Sequence, residues 1–186
     1  MPIPFTDVDD SDDLGSAGFL KLHRSSDYGC CLGALFVVGA RGEPLEFGYN
    51  RVRVPQPYLW RQADLQRHTD RRLITSLLSV CSQRPRLLLC MASEVSTELF
   101  SQDLRVEVPV ARVAVHPRVD LETGEVMEEE DARPEVAWQP GPPEDGSVER
   151  QLFEHLAVHG LLVEPFDRAA VGLQEVYGPT ACQSRL

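Results

Sequence analysis

The first third of the chain carries the alternation of apolar and polar positions that is typical of β-strands. Residues 18–24 alternate, residues 30–38 are continuously apolar, and residues 45–54 alternate again. Short segments rich in Gly, Ser and Pro separate these three stretches. A continuous apolar run indicates a strand buried on both faces, and short turns join antiparallel neighbours. The pattern therefore predicts an N-terminal antiparallel meander of three strands.

The spacing of apolar residues becomes helical after the Pro-Gln-Pro sequence at 55–57. Apolar positions recur on one helical face between Tyr58 and Ser82, but polar residues interrupt that face near residues 67–70. Two helices separated by a break would explain the interruption, and so would one long helix with a polar cluster in its apolar stripe. We favour a break or bend, with Thr69 or Asp70 capping the second helix.

Strand and helix patterns alternate in the rest of the chain. Residues 86–90 predict a short buried strand, and residues 93–101 predict one or two helical turns. Residues 104–115 alternate like a strand, in which Pro109 favours a sheet edge or a bulge. Two more helices are predicted within residues 147–178. The predicted fold class is α/β, with a mixed sheet that starts as a three-strand meander and two C-terminal helices.

Composition divides the chain into five segments. We expect an acidic mobile tail at 1–16, an α/β core domain at 17–115 and a Pro-rich acidic connector at 116–146. A helical pair at 147–178 and a loose C-terminus at 179–186 follow. The connector contains Trp138, and a tryptophan in a polar segment is expected to pack on the parent domain or on a partner. Neither a signal peptide nor an apolar run long enough to cross a bilayer is present, which predicts a cytoplasmic protein without membrane contact.

Charge is distributed unevenly around a net value of −11. Residues 41–86 hold nine arginines against four acidic residues, whereas residues 1–13 hold five aspartates and residues 120–149 hold eleven acidic residues. An arginine-rich surface can bind a phosphate backbone, an acidic partner or the chain's own acidic segment at 127–131. The candidate binding residues are Arg51, Arg53, Arg61, Arg67, Arg71, Arg72 and Trp138.

The element order resembles that of ribonuclease H-like folds, because three meander strands are followed by helix, strand, helix and strand. The resemblance implies an active site in which carboxylates hold two metal ions, with one aspartate in the first strand and another at the end of the fourth. In this chain the middle of the first strand holds Lys21, and only Glu94 follows the fourth. We therefore expect no cofactor and no metal site, and Glu94 is the one catalytic candidate.

Other residue patterns that carry chemistry are weak. His155 and His159, beside Glu154, are four residues apart in a predicted helix, so both imidazoles share one face and can chelate a metal. The alternative is that the negative end of the helix dipole favours histidines there. The number of cysteines, five, is odd, and two of them are adjacent, so a disulfide framework is not expected. Cys31, Cys81 and Cys90 lie in apolar runs that are typical of a core. Neither a phosphate-binding loop nor a nucleophile elbow is recognisable.

These observations favour a non-catalytic accessory or interaction protein, a subunit or adaptor of a larger assembly with a protein partner. The alternative is a nucleic-acid-binding or nuclease-like protein that uses the arginine-rich surface. The sequence favours a protein without enzymatic activity but does not decide the question. It does not define the oligomeric state.

Overall fold

The computed structural model describes residues 14–24, 29–115 and 134–178. The strands are β1 Ser16–Arg24, β2 Cys30–Gly39, β3 Pro44–Arg53, β4 Leu87–Met91, β5 Val110–Ala114 and β6 Glu135–Gln139. The helices are α1 Gln62–Val80, α2 Val148–Val158 and α3 Glu164–Tyr177, with a 3₁₀ turn at Pro57–Leu59 and a π-helical turn at Leu99–Asp103. Most of the predicted acidic tail, the acidic run at 127–131 and the predicted loose C-terminus lie outside the described residues.

The strands form one mixed sheet with the order β3-β2-β1-β4-β5-β6. β1, β2 and β3 are antiparallel neighbours, β4 and β5 continue the sheet parallel to β1, and β6 pairs with β5 in the antiparallel sense. Every position of β2 is buried, as its continuous apolar run predicts. The predicted mixed α/β sheet with an N-terminal meander and two C-terminal helices is therefore confirmed.

Apolar side chains cover both faces of this sheet. On one face α1 packs against the meander and β4, with a cluster that contains Leu20, Leu35, Leu73, Ile74, Leu77 and Leu88. On the other face lie α2 and α3, with a cluster that contains Phe19, Phe36, Leu89, Leu152, Leu156 and Phe166. The C-terminal helices are thus part of the same core as the sheet.

The break expected in the middle of α1 is wrong, because α1 is one continuous helix. Two of the polar residues that interrupt its apolar face are buried, and both have partners. The hydroxyl of Thr69 donates to the carbonyl oxygen of Leu65 at 2.8 Å, and the carboxylate of Asp70 accepts from Arg24. Because each of these two residues has a hydrogen-bond partner inside the apolar layer, the helix continues through this position.

Part of the predicted connector belongs to the sheet. Residues 135–139 form β6, and Trp138 within it packs against Phe153 of α2 with ring centroids 4.8 Å apart. The expected edge position of the strand containing Pro109 is also wrong, because β5 begins after Pro109 and lies between β4 and β6. The proline therefore removes no donor from the ladder, and its carbonyl oxygen accepts from the amide of Leu88 at 3.0 Å.

The cysteines agree only in part with their predicted role in the core. Cys31 and Cys90 are buried thiols, and burial raises the pKa of each to about 12. Cys81 is half-buried, with its sulfur 3.5 Å from the carboxylate of Glu46. Cys30, in contrast, is disulfide-bonded, which the cysteine pattern of the sequence does not predict.

None of the helices in the described ranges is both long and apolar enough to cross a membrane.

Candidate functional site

The parallel pairing of the inner strands β1 and β4 brings Lys21 and Glu94 together at the end of the sheet where these strands finish, and we call this end the sheet edge. Lys21 lies in β1, and Glu94 lies three residues beyond the end of β4. The ammonium group of Lys21 contacts Oε1 of Glu94, and the backbone amide of Leu22 donates to Oε2 at 2.9 Å. Both carboxylate oxygens of Glu94 therefore already have a donor from β1.

Arg112 of β5 fixes the segment that carries Glu94. Its guanidinium donates to the carbonyl oxygens of Ala92 and Val95, at 3.2 Å and 2.8 Å, and to the hydroxyl of Thr97 at 3.0 Å. The amide of Ala92 also donates to the carbonyl of Val113 at 2.8 Å. Glu94 is thus held on a loop tied to the neighbouring strand.

Arg24, the last residue of β1, links Glu94 to α1. Its Nη2 donates to Oδ2 of Asp70 at 2.6 Å and to the backbone carbonyl oxygen of Glu94 at 2.7 Å. Lys21, Arg24, Asp70 and Glu94 form a connected group of two cations and two carboxylates, which we call the β1 edge cluster. Their formal charges cancel.

Asp70 is the most buried member of the β1 edge cluster, with only 2% of the residue exposed. Among the described residues, its Oδ1 has no hydrogen-bond partner. Burial raises the pKa of this carboxyl above its ordinary value, and the charge and hydrogen bond of Arg24 offset part of that increase. The sequence signal for this site is a polar residue on the apolar face of a helix, which on its own favours a helix break.

A cavity of about 40 Å³ lies beside Asp70 at the same sheet edge. It is lined by Arg24, Cys31, Val54, Leu65, Thr69 and Asp70, among others. By this measure it has room for a few water molecules, so the unpartnered Oδ1 of Asp70 has space for a solvent donor.

The β1 edge cluster does not fit the pair of metal ions that ribonuclease H-like nucleases use. Where the resemblance implies a first-strand carboxylate, β1 carries Lys21, and both oxygens of Glu94 accept from β1. Within the described residues, no group of three or more His, Cys, Asp or Glu side chains is placed to hold a metal ion. A cation and a carboxylate in contact neutralise each other, whereas a divalent metal requires several anionic oxygens.

The structure divides the predicted arginine-rich surface between two faces of the sheet. Asn50 of β3 donates to the hydroxyl of Ser76 in α1 at 2.7 Å, which places Asn50 on the α1 face. Arg51 therefore points to the opposite face, where its guanidinium lies 5.8 Å from the ring centroid of Tyr177. Arg53, two residues further along β3, projects on the same side of the strand as Arg51.

The arginines of α1 also differ from one another. Arg67 makes a two-bond ion pair with Asp103 of the π-helical turn, with both distances 2.8 Å. Arg61, Arg71 and Arg72 are exposed, and no described residue forms an ion pair with them. Arg67 thus has a structural partner, while the other three are available to a ligand.

An exposed apolar and aromatic segment lies between the end of β3 and the start of α1. Tyr58 is 86% exposed, Leu59 98% and Trp60 41%, and Arg53 and Arg61 flank them. Register places this segment near the β1 edge cluster, because Arg53 pairs with Cys30 and the next residue of β2, Cys31, pairs with Arg24. We call residues 53–61 the aromatic segment. In the sequence its prolines indicate only that a strand ends and a helix follows.

The remaining candidates lie away from this edge. Trp138 is half-buried against the core cluster of α2 and α3, so it packs on the parent domain. His155 and His159 stack at the end of α2, with ring centroids 4.1 Å apart, and Nδ1 of His159 lies 2.8 Å from the carbonyl oxygen of His155. In the described residues no third ligand accompanies these two imidazoles.

The fold is similar to solved structures of endonuclease V. The Bacillus subtilis protein has a TM-score of 0.57 at 15% identity, over 89% of this chain and 82% of that chain. The Streptomyces avermitilis protein has a TM-score of 0.55 at 14% identity, over 87% and 81%. The catalytic domain of human endonuclease V has a TM-score of 0.50 at 13% identity, over 87% and 82%. No protein-family model matches the sequence, and no curated protein is significantly similar to it.

At these identities the similarity shows the fold, and it confirms the predicted ribonuclease H-like architecture. The prediction of a non-catalytic accessory or interaction protein is wrong on this comparison, because these structurally similar proteins are nucleases. The alternative prediction, a nucleic-acid-binding or nuclease-like protein, agrees with the comparison better.

Proposed function

We propose that this chain is a nucleic-acid-binding protein with a nuclease-like fold, and that it contacts unpaired bases and their phosphates through the aromatic segment. One observation carries the proposal: Tyr58, Leu59 and Trp60 are consecutive, exposed and flanked by Arg53 and Arg61. Exposed apolar side chains are costly when contiguous, and such patches mark binding sites.

Aromatic side chains next to arginines match the chemistry of single-stranded nucleic acid. Every base offers a flat face on which Tyr or Trp can stack, and each such contact contributes on the order of 1–3 kcal/mol. The Trp60 ring already lies 5.1 Å from the His68 ring of α1, with an angle of 39° between the planes. This contact orients the Trp60 ring before any base arrives.

Local charge favours phosphate at this edge although the whole chain is acidic. The aromatic segment contains two arginines and no acidic residue, and α1 adds Arg71 and Arg72 together with the exposed Asp64 and the Arg24-paired Asp70. At physiological ionic strength screening acts over about 8 Å, so the field near these arginines depends on neighbouring charges rather than on the total of −11.

Nuclease activity is the second candidate function. It is favoured by the position of Glu94 after β4, where the resemblance to ribonuclease H-like enzymes implies an active-site carboxylate. The Lys21 ammonium on that carboxylate opposes it. Binding is therefore the principal proposal, and cleavage is measured in the same samples.

Binding is tested by the fluorescence anisotropy of labelled single- and double-stranded DNA and RNA across a salt series. We expect the wild-type chain to prefer single strands. Replacement of Arg53 and Arg61 by Ala should weaken binding and reduce the slope of log K against log salt by roughly 1–2 units. The matched control is Arg84→Ala, because Arg84 is exposed beyond the opposite end of α1 and should leave the slope unchanged.

Absence of binding at low salt to every one of these nucleic acids would refute the proposed function. Incubation of the same oligonucleotides with Mg²⁺ or Mn²⁺ tests cleavage. Cleavage that Glu94→Gln abolishes would establish the second candidate.

A further inference from the structure

We infer that Lys21 takes the electrostatic place of a divalent metal ion at the sheet edge, and that Lys21 is the residue that keeps such an ion from binding there. The resemblance to ribonuclease H-like enzymes implies carboxylates at this sheet edge that hold divalent metal ions. In this chain the ammonium group of Lys21 holds Glu94 instead. The inference goes beyond the proposed function, because it concerns metal affinity and involves no nucleic acid.

The contacts of Glu94 are complete without a metal. Oε1 contacts the Lys21 ammonium, and Oε2 accepts from the amide of Leu22 at 2.9 Å. Only 16% of the Glu94 side chain and 21% of the Lys21 side chain are exposed, so solvent screens this pair less than it would at an open surface. A metal ion would have to displace both donors to use this carboxylate.

Arg24 keeps Asp70, the second carboxylate of the β1 edge cluster, from binding a metal ion in place of Glu94. Its Nη2 contacts Oδ2 of Asp70 and the backbone carbonyl oxygen of Glu94, so it occupies the space between the two acidic residues. With Lys21 and Arg24 in place the β1 edge cluster has no net charge to attract a dication. Replacing Lys21 by an acid would change this local charge by two units and supply a new oxygen ligand.

The test is a calorimetric titration with Mn²⁺ alone on the wild-type chain and on Lys21→Asp. We expect the wild-type chain to show no saturable binding and Lys21→Asp to bind Mn²⁺ saturably, as removal of a cation and gain of an anion at contact distance predicts. Adding Glu94→Gln to Lys21→Asp should abolish the gain. Lys21→Met is the matched control, because it removes the cation without adding a ligand, and it should gain much less affinity.

Circular dichroism establishes whether each variant is folded, and Lys21→Asn replaces Lys21→Asp if that variant does not fold, since an amide oxygen is also a metal ligand. Saturable Mn²⁺ binding by the wild-type chain that Glu94→Gln removes would overturn the inference. A folded Lys21→Asp or Lys21→Asn variant with no more affinity than the wild-type chain would also overturn it. Because no oligonucleotide is present, neither outcome depends on whether the proposed function is right.

Discussion

Arg24 at the end of β1 and Asp70 in the middle of α1 form an ion pair in which Nη2 lies 2.6 Å from Oδ2. Only 3% of the Asp70 side chain is exposed, against 28% of the Arg24 side chain. The carboxylate is therefore buried with one partner that still reaches solvent, and this asymmetry makes the pair sensitive to both pH and substitution.

Asp70 should titrate above the ordinary carboxyl value of 3.8, because burial disfavours its charged form. Since the folded state holds this proton more tightly than the unfolded state, the contribution of Asp70 to stability falls as pH rises from 3.8 through the raised pKa. Arg24→Met should raise the pKa of Asp70 further. The measurement is the carboxyl ¹³C shift of Asp70 against pH.

Arg150→Met is the control for that titration. Arg150 donates to the carboxylate of Glu154 on α2 at 2.6 Å and has no contact with Asp70, so its loss should leave the Asp70 curve unchanged. An Asp70 pKa below the ordinary value, or one that Arg24→Met lowers, would contradict the burial argument.

Lys21 and Glu94 should be coupled in stability. Lys21→Met leaves a largely buried carboxylate with only the Leu22 amide, and an unpaired charged group of this kind costs about 1–3 kcal/mol. The double variant Lys21→Met/Glu94→Gln should lose less free energy of unfolding than the two single variants lose together, because the glutamine left without Lys21 is neutral. Urea unfolding of the four proteins in this double-mutant cycle gives the coupling energy, and additive effects would show that the contact contributes nothing.

Gly33 in β2 should not tolerate a methyl group. A Cβ at this position would lie 2.9 Å from Cδ2 and 3.1 Å from Cγ of Leu73, which is fully buried in α1. Gly33→Ala should therefore lower the free energy of unfolding by about 1–3 kcal/mol through overpacking. Gly141→Ala is the control, since a methyl group added there would have no other part of the described structure within 4 Å; equal unfolding midpoints for the two variants would refute the prediction.

The two tryptophans should have opposite roles. Trp138 packs edge to face on Phe153, so Trp138→Ala should reduce stability by roughly 1–3 kcal/mol and leave nucleic-acid affinity unchanged. Trp60 is 41% exposed, so Trp60→Ala should reduce affinity and leave stability almost unchanged. Urea unfolding and anisotropy on both variants test the pair of predictions, and a Trp138→Ala variant that loses affinity without losing stability would contradict our assignment.

The architecture was predictable from the sequence because periodicity and turn residues are local signals. The apolar run of β2, the alternation of β3 and the helical spacing of α1 all indicated the elements that form. β6 was missed because a five-residue strand between prolines and acidic residues has little periodicity, and only its pairing with β5 defines it.

The site was only half predictable, for a physical reason. Glu94 was a candidate because the fold resemblance implies an acid at the end of the fourth strand, and Lys21 was noted because the resemblance implies an acid within the first strand. Arg24 and Asp70 lie 46 residues apart and become partners only when α1 packs on the sheet, so the sequence showed a polar interruption and not its partner. The split of the arginines is similar, since the face on which Arg51 lies follows from the register of β3.

The most direct measurement of the central claim is the affinity of the wild-type chain and of Tyr58→Ala for one labelled single-stranded oligonucleotide at low salt. Tyr58 is 86% exposed and has no described ring partner, so its replacement removes a stacking platform without disturbing the core. The account predicts binding by the wild-type chain and a loss of roughly 1–3 kcal/mol in Tyr58→Ala, with unchanged unfolding. Equal affinities of the two proteins, or no binding by either, would contradict it.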